Sequence, residues 1–332
     1  SYYRVKNEES YFDANLLGGL GYPTLNHYTS LTSKNYMNTM KRFGYSSYLM
    51  EVNSCGGTLL TDALLSNAYT IRKGWEGPLE DVDAQSGQYT IVKNKAALSP
   101  GIILDSDSFT KDLPDKERSD LQQYLFESLL GGNGELLTRY RQDDIFDTKI
   151  SRNNGKYTIK RNAEAKQGTI TYHIGLEQTQ DLYLDCFDKM TTKLGSKIHG
   201  AFKVFVNGRL VAGEYPSSRM NGRLNLGQYS PVNVTVMLIQ NRDLEVKSFG
   251  VFGLDTRKAE AALNTVQTAS VNISGSDISA DCHAEQGQKL LLMLPYEKGF
   301  SAEVNGKAVP LERAYGCFIA VSLDTGENTV HI

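Results

Sequence analysis

Along the first 147 residues the apolar positions alternate between helical and strand periods. Tyr36, Met37, Met40 and Phe43 form one stripe of a helix that Ser33 can cap and Gly44 can end. A second helix is predicted over 59–65, and strand-like runs follow at 68–71, 89–92 and 101–104. A third helix is predicted to start at Pro114, with Asp115 and Glu117 against the positive end of its dipole. Its stripe is Leu121, Tyr124, Leu125 and Leu129, and Gly131-Gly132-Asn133-Gly134 stops it. Residues 1–147 therefore read as an α/β domain.

Beyond residue 148 the pattern changes to alternating strands separated by Gly and Asn turns, as in 157–159, 169–174 and 182–184, which indicates antiparallel sheet. This half contains an internal echo. Phe202-Lys-Val-Phe-Val-Asn-Gly-Arg-Leu-Val211 returns as Phe300-Ser-Ala-Glu-Val-Asn-Gly-Lys-Ala-Val309, with Asn207 and Asn305 in equivalent places. In each copy Asn-Gly lies between two strand runs, the strongest local hairpin signal. The expected architecture is α+β and multi-domain. The N-terminal α/β domain is followed by two antiparallel β-sandwich, jelly-roll-like modules at 148–254 and 269–332. Between them, Asp255 can cap a connector helix within 255–268, with Ala259, Ala262, Leu263 and Val266 on one face.

Composition narrows the function classes. The 332 residues are 40% hydrophobic and 22% charged, the profile of a folded chain. With 35 Lys and Arg against 38 Asp and Glu, the formal net charge of −3 gives no basic footprint for nucleic acid. The longest apolar runs, 234–239 and 290–294, fall far short of the roughly 20 residues that cross a bilayer. Four cysteines, Cys55, Cys186, Cys282 and Cys317, include no C-x-x-C pair; Cys282 and Cys317 share one predicted module, and their pairing is left open.

Motifs for specific chemistry are sparse. The five histidines are dispersed, with no two on one helical face, so neither a metal site nor any cofactor is expected. Asp105-Ser106-Asp107 begins like a calcium loop, but Thr110 stands where an EF-hand needs Gly and no Glu closes the loop. Gly18-Gly19-Leu20-Gly21 follows no strand and meets Pro23, so it fits neither nucleotide fingerprint. There is no G-x-S-x-G elbow, and Asp143-Asp144 and Asp185/Asp188 do not define an acid/base pair. The 19 tyrosines offer flat apolar faces with a hydroxyl, a chemistry suited to sugars. Tyr36 belongs to a helix stripe and so to a core; Tyr22 and Tyr28, in the loop before it, are candidate ligand contacts.

The order of segments adds a family likeness. Tyr3-Arg4-Val5, Asn15 before a Gly-rich turn, Tyr28-Thr29-Ser30, the segment 60–71, Tyr89-Thr-Ile-Val-Lys-Asn94 and Ala97-Leu98-Ser99-Pro100-Gly101 follow one another in a familiar order. So do Leu294-Pro295-Tyr296-Glu297-Lys298-Gly299-Phe300, Val304-Asn305-Gly306-Lys307, Gly316-Cys317-Phe318-Ile319 and Gly326-Glu327-Asn328-Thr329. Together they resemble the extracytoplasmic domain of YfhO-type bacterial membrane proteins. Ser30 is shared with the family's Tyr-Ser-Ser, whereas Thr29, Ala63, Ser66 and Ser99 depart from the family pattern.

That resemblance implies a polytopic, C-type glycosyltransferase that takes sugar from a polyprenyl-phosphate carrier and decorates cell-wall polymers such as teichoic acids. The catalytic acid of that architecture is expected on a loop between membrane helices, so this chain is expected to bind rather than catalyse. Its expected partners are a cell-wall glycopolymer or lipid-linked sugar and the protein's own transmembrane region, at the extracellular face of the cell membrane. The carried-over candidates for glycan contact are Arg4, Asn15, Tyr28, Ser30 and Asp62, beside Tyr22 from the aromatic pattern. Two rivals are a secreted carbohydrate-binding or adhesive protein, which paired sandwich modules equally allow, and a hydrolase whose deep pocket would gather carboxylates.

Overall fold

The computed structural model describes residues 2–8, 15–73, 80–188, 198–217 and 220–332. It is a mixed α+β structure in which antiparallel sheets predominate and helices are few. Arg4–Asn7 pairs in parallel with Asn67–Lys73, which continues antiparallel to Tyr89–Asn94 and Glu80–Ser86. A three-stranded sheet of His27–Tyr28, Glu51–Gly56 and Tyr45–Tyr48 lies beside the helix Lys34–Phe43. That helix buries Tyr36, Met40 and Phe43 and ends at Gly44, whose φ of 99° requires glycine. Ser33 occupies its N-cap position, but the side chain makes no capping hydrogen bond.

Each of the two later halves pairs a five-stranded sheet with a four-stranded one, and the five-stranded sheets share one strand order. In the first, a five-stranded sheet (Asp144–Phe146, Gly168–Gly175, Asn233–Gln240, Phe202–Val206, Arg209–Tyr215, in spatial order) shares a core with a four-stranded sheet. The latter runs Leu224–Tyr229, Gln180–Phe187, Ser248–Asp255 and Leu137–Arg139. In the second, the five strands are Ser270–Ser274, Asp277–Ala284, Gly326–His331, Ala302–Val304 and Lys307–Val309, and the four are Leu311–Ala314, Phe318–Ser322, Gln288–Pro295 and Gly101–Asp105.

The hairpins match in detail. Asn207 and Gly208 have φ of 47° and 78°, Asn305 and Gly306 of 52° and 75°, the paired positive values of a type I′ turn. In one copy Asn207 N donates to Thr235 O at 2.8 Å while Asn207 Oδ1 accepts from Thr235 N at 2.8 Å. In the other, Asn305 makes the same two bonds with Thr329, at 2.9 and 3.0 Å.

Two strands from the first 147 residues complete sheets of the later halves. Gly101–Asp105 pairs with Gln288–Pro295, and Leu137–Arg139 with Ser248–Asp255. The central strands of both four-stranded sheets are consequently buried on two faces. Leu290, Leu292 and Leu294 enter the core of the second half, whereas Leu291 and Met293 enter the core formed with the N-terminal helices. Leu182, Leu184 and Cys186 likewise face inward while Tyr183 faces the helices. This double burial explains why Gln180–Phe187 has no exposed position and why 290–294 is an unbroken apolar run.

The helix predicted from Pro114 is Arg118–Leu130, with Glu117 at its N-cap. The guanidinium of Arg42 donates to the carbonyls of Leu113 at 3.1 Å, Pro114 and Lys116, which holds that stretch outside the helix. Asp255 caps the helix Thr256–Leu263 by accepting from the Arg257 and Lys258 amides. Val266 packs on the core from beyond the helix end. All four cysteines are buried free thiols, so Cys282 and Cys317 do not pair. No described helix is long and apolar enough to cross a membrane.

Candidate functional site

Tyr36 is buried on its helix, and its hydroxyl donates to the Leu25 carbonyl at 3.3 Å. The sequence candidates separate into three places. Arg4 is 4% exposed, and its guanidinium donates to the carbonyls of Leu65 at 2.5 Å and Met293 at 3.0 Å. It pins the first strand to the core and presents no charge to solvent. Asn15 and Tyr28 meet through backbone: Asn15 Nδ2 donates to Tyr28 O at 3.1 Å and Asn15 Oδ1 accepts from Tyr28 N at 3.2 Å. Tyr22 and Tyr28 are 48% and 51% exposed, and Ser30 is exposed as well.

Asp62 lies in a cleft of about 260 Å³ between the N-terminal sheet and the first of the two later halves. One wall carries Lys6, Glu8, Asp62, Arg72 and Glu80; the other carries Asp181, Tyr183, Arg223 and Asn225. The parallel pairing of Arg4–Asn7 with Asn67–Lys73 sets Lys6 opposite Thr70, so that Lys6 and Arg72, two residues further along, share one face. The helix Leu59–Leu64 presents Asp62 to them; Thr58 and Thr61 start that helix with a reciprocal capping box. Gly56, at φ 95°, closes the floor: a Cβ there would lie 2.4 Å from the Gly44 carbonyl oxygen.

The ion pairs on this wall are saturated. Lys6 Nζ is 2.8 Å from Asp62 Oδ2 and 3.0 Å from Glu8 Oε1, and donates to the Gly56 carbonyl at 2.8 Å. Asp62 Oδ1 accepts from Tyr45 Oη at 2.6 Å and Asn67 Nδ2 at 2.8 Å. Arg72 holds Glu80 by two parallel bonds of 2.8 and 3.1 Å, with Nε 3.2 Å from Glu8 Oε2. Burial alone would push the Lys6 amine down, but Asp62 and Glu8 outweigh it and hold its pKa above the ordinary lysine value. Burial would raise Glu8, yet Lys6 and Arg72 win and hold it below the usual carboxylate range.

The opposite wall differs. Asp181 is 1% exposed; its Oδ2 accepts from the Tyr183 hydroxyl, which itself accepts from the Leu59 amide at 2.9 Å. Asp181 Oδ1 has no hydrogen-bond partner among the described residues. Burial pushes this carboxyl up to about 7, the Tyr183 hydrogen bond offsetting only part of the cost. Sequence reasoning did not single out Asp181. The signal available was alternation: Asp181, Tyr183 and Asp185 occupy every second position of a strand whose intervening residues are apolar, which places them on one face.

Asp185 on that face is structural. Arg118 makes a buried ion pair with it, and Ser248 Oγ donates to it at 2.8 Å. Burial would raise the Asp185 carboxyl, but the Arg118 guanidinium holds it below the usual range. Nearby, Asn221 donates to Ser47 O at 2.7 Å and accepts from Ser47 N at 2.9 Å, locking the two walls of the cleft together. Among the described residues no group of three or more His, Cys, Asp or Glu could hold a metal ion.

The family model for the bacterial membrane protein YfhO matches residues 1–332. The chain belongs to the YfhO family. A search among curated proteins finds no match to this YfhO-family chain. Among solved structures, it is similar to a conserved protein of unknown function from Pseudomonas aeruginosa PAO1. The identity is 10% over 59% of this chain and 91% of that one, with a TM-score of 0.17.

Proposed function

We propose that this chain is the extracytoplasmic, glycan-holding part of a YfhO-type membrane protein that transfers sugar from a lipid carrier to a cell-wall polymer, and that it binds without catalysing. On this reading each pair of sheets is one β-sandwich module, the second a repeat of the first. The observation that carries the binding role is the polar cleft around Asp181. Fixed donors and acceptors stand on both walls, while Leu59, Val211, Met220 and Leu224 supply an apolar surface for the C–H face of a sugar ring. Against catalysis, the carboxylates Glu8, Asp62 and Glu80 are each held in ion pairs, so that among the described residues of the cleft no unpaired carboxylate stands opposite Asp181 as nucleophile or base.

The test is ligand-observed NMR of the 332-residue chain against a panel of monosaccharides and short glycans. Saturation transfer that disappears on Leu224→Asp, in a variant that still unfolds cooperatively, supports the reading; no transfer from any glycan refutes it. A second reading, glycoside hydrolysis, draws on the raised Asp181 carboxyl as a general acid. Turnover of aryl glycosides by the wild type, abolished in Asp181→Asn, would establish that reading and displace the first.

A further inference from the structure

We propose that the cleft is selective for a protonated amine, with Asp181 Oδ1 as its acceptor, so that the glycan it holds carries a free amino group. This deepens the glycan-holding reading and rests on it. Among the described residues, four carboxylates line the cleft, Glu8, Asp62, Glu80 and Asp181, against three cations, Lys6, Arg72 and Arg223. Two of those cations are consumed within the first wall. Lys6 serves Glu8, Asp62 and a carbonyl, and Arg72 serves Glu8 and Glu80. Arg223, the third, spends its guanidinium outside the cleft, donating to the carbonyls of Phe43 and Arg118. The surplus carboxylate is Asp181, and its Oδ1 is buried and without a partner among the described residues.

A buried acceptor left unmade is costly, and a buried carboxylate more so, unless a donor and a compensating charge both arrive. A sugar hydroxyl brings the donor alone. A phosphate or carboxylate brings charge of the wrong sign. An ammonium brings both, on a ligand whose ring can lie against Leu59, Val211, Met220 and Leu224. Asn225 Nδ2, at 3.5 Å, and the Tyr183 hydroxyl already occupy Oδ2, which leaves Oδ1 as the carboxylate atom with unused lone pairs.

Calorimetric titration at pH 7.5 with D-glucosamine, N-acetyl-D-glucosamine, D-glucose and ethanolamine decides the matter, using wild type and Asp181→Asn. Glucosamine is expected to bind the wild type about tenfold or more tighter than its acetylated or neutral counterparts, a preference that Asp181→Asn erases. Equal binding of all three sugars, unchanged in Asp181→Asn, overturns the amine assignment and leaves glycan binding standing. Binding of ethanolamine equal to that of glucosamine, lost in Asp181→Asn, upholds the amine site and removes the sugar reading. No binding of either amine overturns the assignment. Urea unfolding of Asp181→Asn at the same pH shows that any loss belongs to the site, since the variant is expected to be at least as stable as the wild type.

Discussion

Replacing Asp181 with Asn removes a titrating group from the cleft while keeping an oxygen to which the Tyr183 hydroxyl can donate. Burial lifts the Asp181 carboxyl from an ordinary 3.8 to about 7. A carboxyl whose pKa is higher folded than unfolded holds more protons in the native state between those values. Native stability therefore falls as pH rises from about 4 to about 7 and levels off above. Three pH units at about 1.4 kcal/mol each set the full effect at about 4 kcal/mol. The measurement is urea unfolding at pH 5, 6, 7 and 8, since urea leaves the ionic strength unchanged. The stability of Asp181→Asn minus that of wild type should widen by about 1.4 kcal/mol per unit up to about pH 7, then hold constant. Other titrating groups cancel in this difference. Parallel pH profiles for the two proteins would show that Asp181 titrates as it does in water, and the description of a costly buried carboxyl would fail.

Further outcomes follow from the joint between the walls. Arg118→Met strands the buried Asp185 and should cost about 3–5 kcal/mol at pH 7, measured by urea unfolding. The folded Asp185 pKa is depressed, so its contribution is complete above about pH 4 and lost as pH falls further; acid titration of Asp185→Asn should show a shallower loss than wild type. A Cβ at Gly222 would lie 2.6 Å from the Gly44 carbonyl oxygen and 2.9 Å from Ser46 N, so Gly222→Ala should cost about 1–3 kcal/mol by the same assay. Thr58→Ala removes a capping box and a buried 2.5 Å bond to Gln122, and thermal unfolding should report a loss of about 1–2 kcal/mol. Tyr28→Ala, at a half-exposed ring, should change stability by less than about 0.5 kcal/mol.

What was legible in the sequence was what local chemistry decides. The stripe Tyr36, Met40, Phe43 and its terminal Gly44, the Asp255 cap and the two Asn-Gly hairpins each depend on neighbours within a few residues. The likeness carried by ordered segments was legible too, and the family match agrees with it. The cleft was not, apart from Asp62. Lys6, Arg72 and Asp181 come together only through a parallel strand pair and a sheet face whose partners lie far along the chain. Arg4 illustrates the converse: the family likeness offers it as a candidate for glycan contact, while two distant carbonyls, Leu65 and Met293, take up its guanidinium. The start of the third helix was misplaced for a similar reason, because Arg42 claims the carbonyls that a helix from Pro114 would have used.

The strand Gly101–Asp105 lies a long wait away from its neighbour. Gln288 and Asp105, which touch in the finished sheet, are 183 positions apart in the chain. At about 5–20 residues per second of synthesis, Ile103 and the open edge of its strand stay bare for about 10–40 s before Gln288–Pro295 is made. For that interval the nascent protein offers other chains an apolar ribbon with no companion. Yield in the cell should therefore depend on holding factors that shield this ribbon, and a gene truncated before residue 288 should give aggregates rather than a smaller folded product.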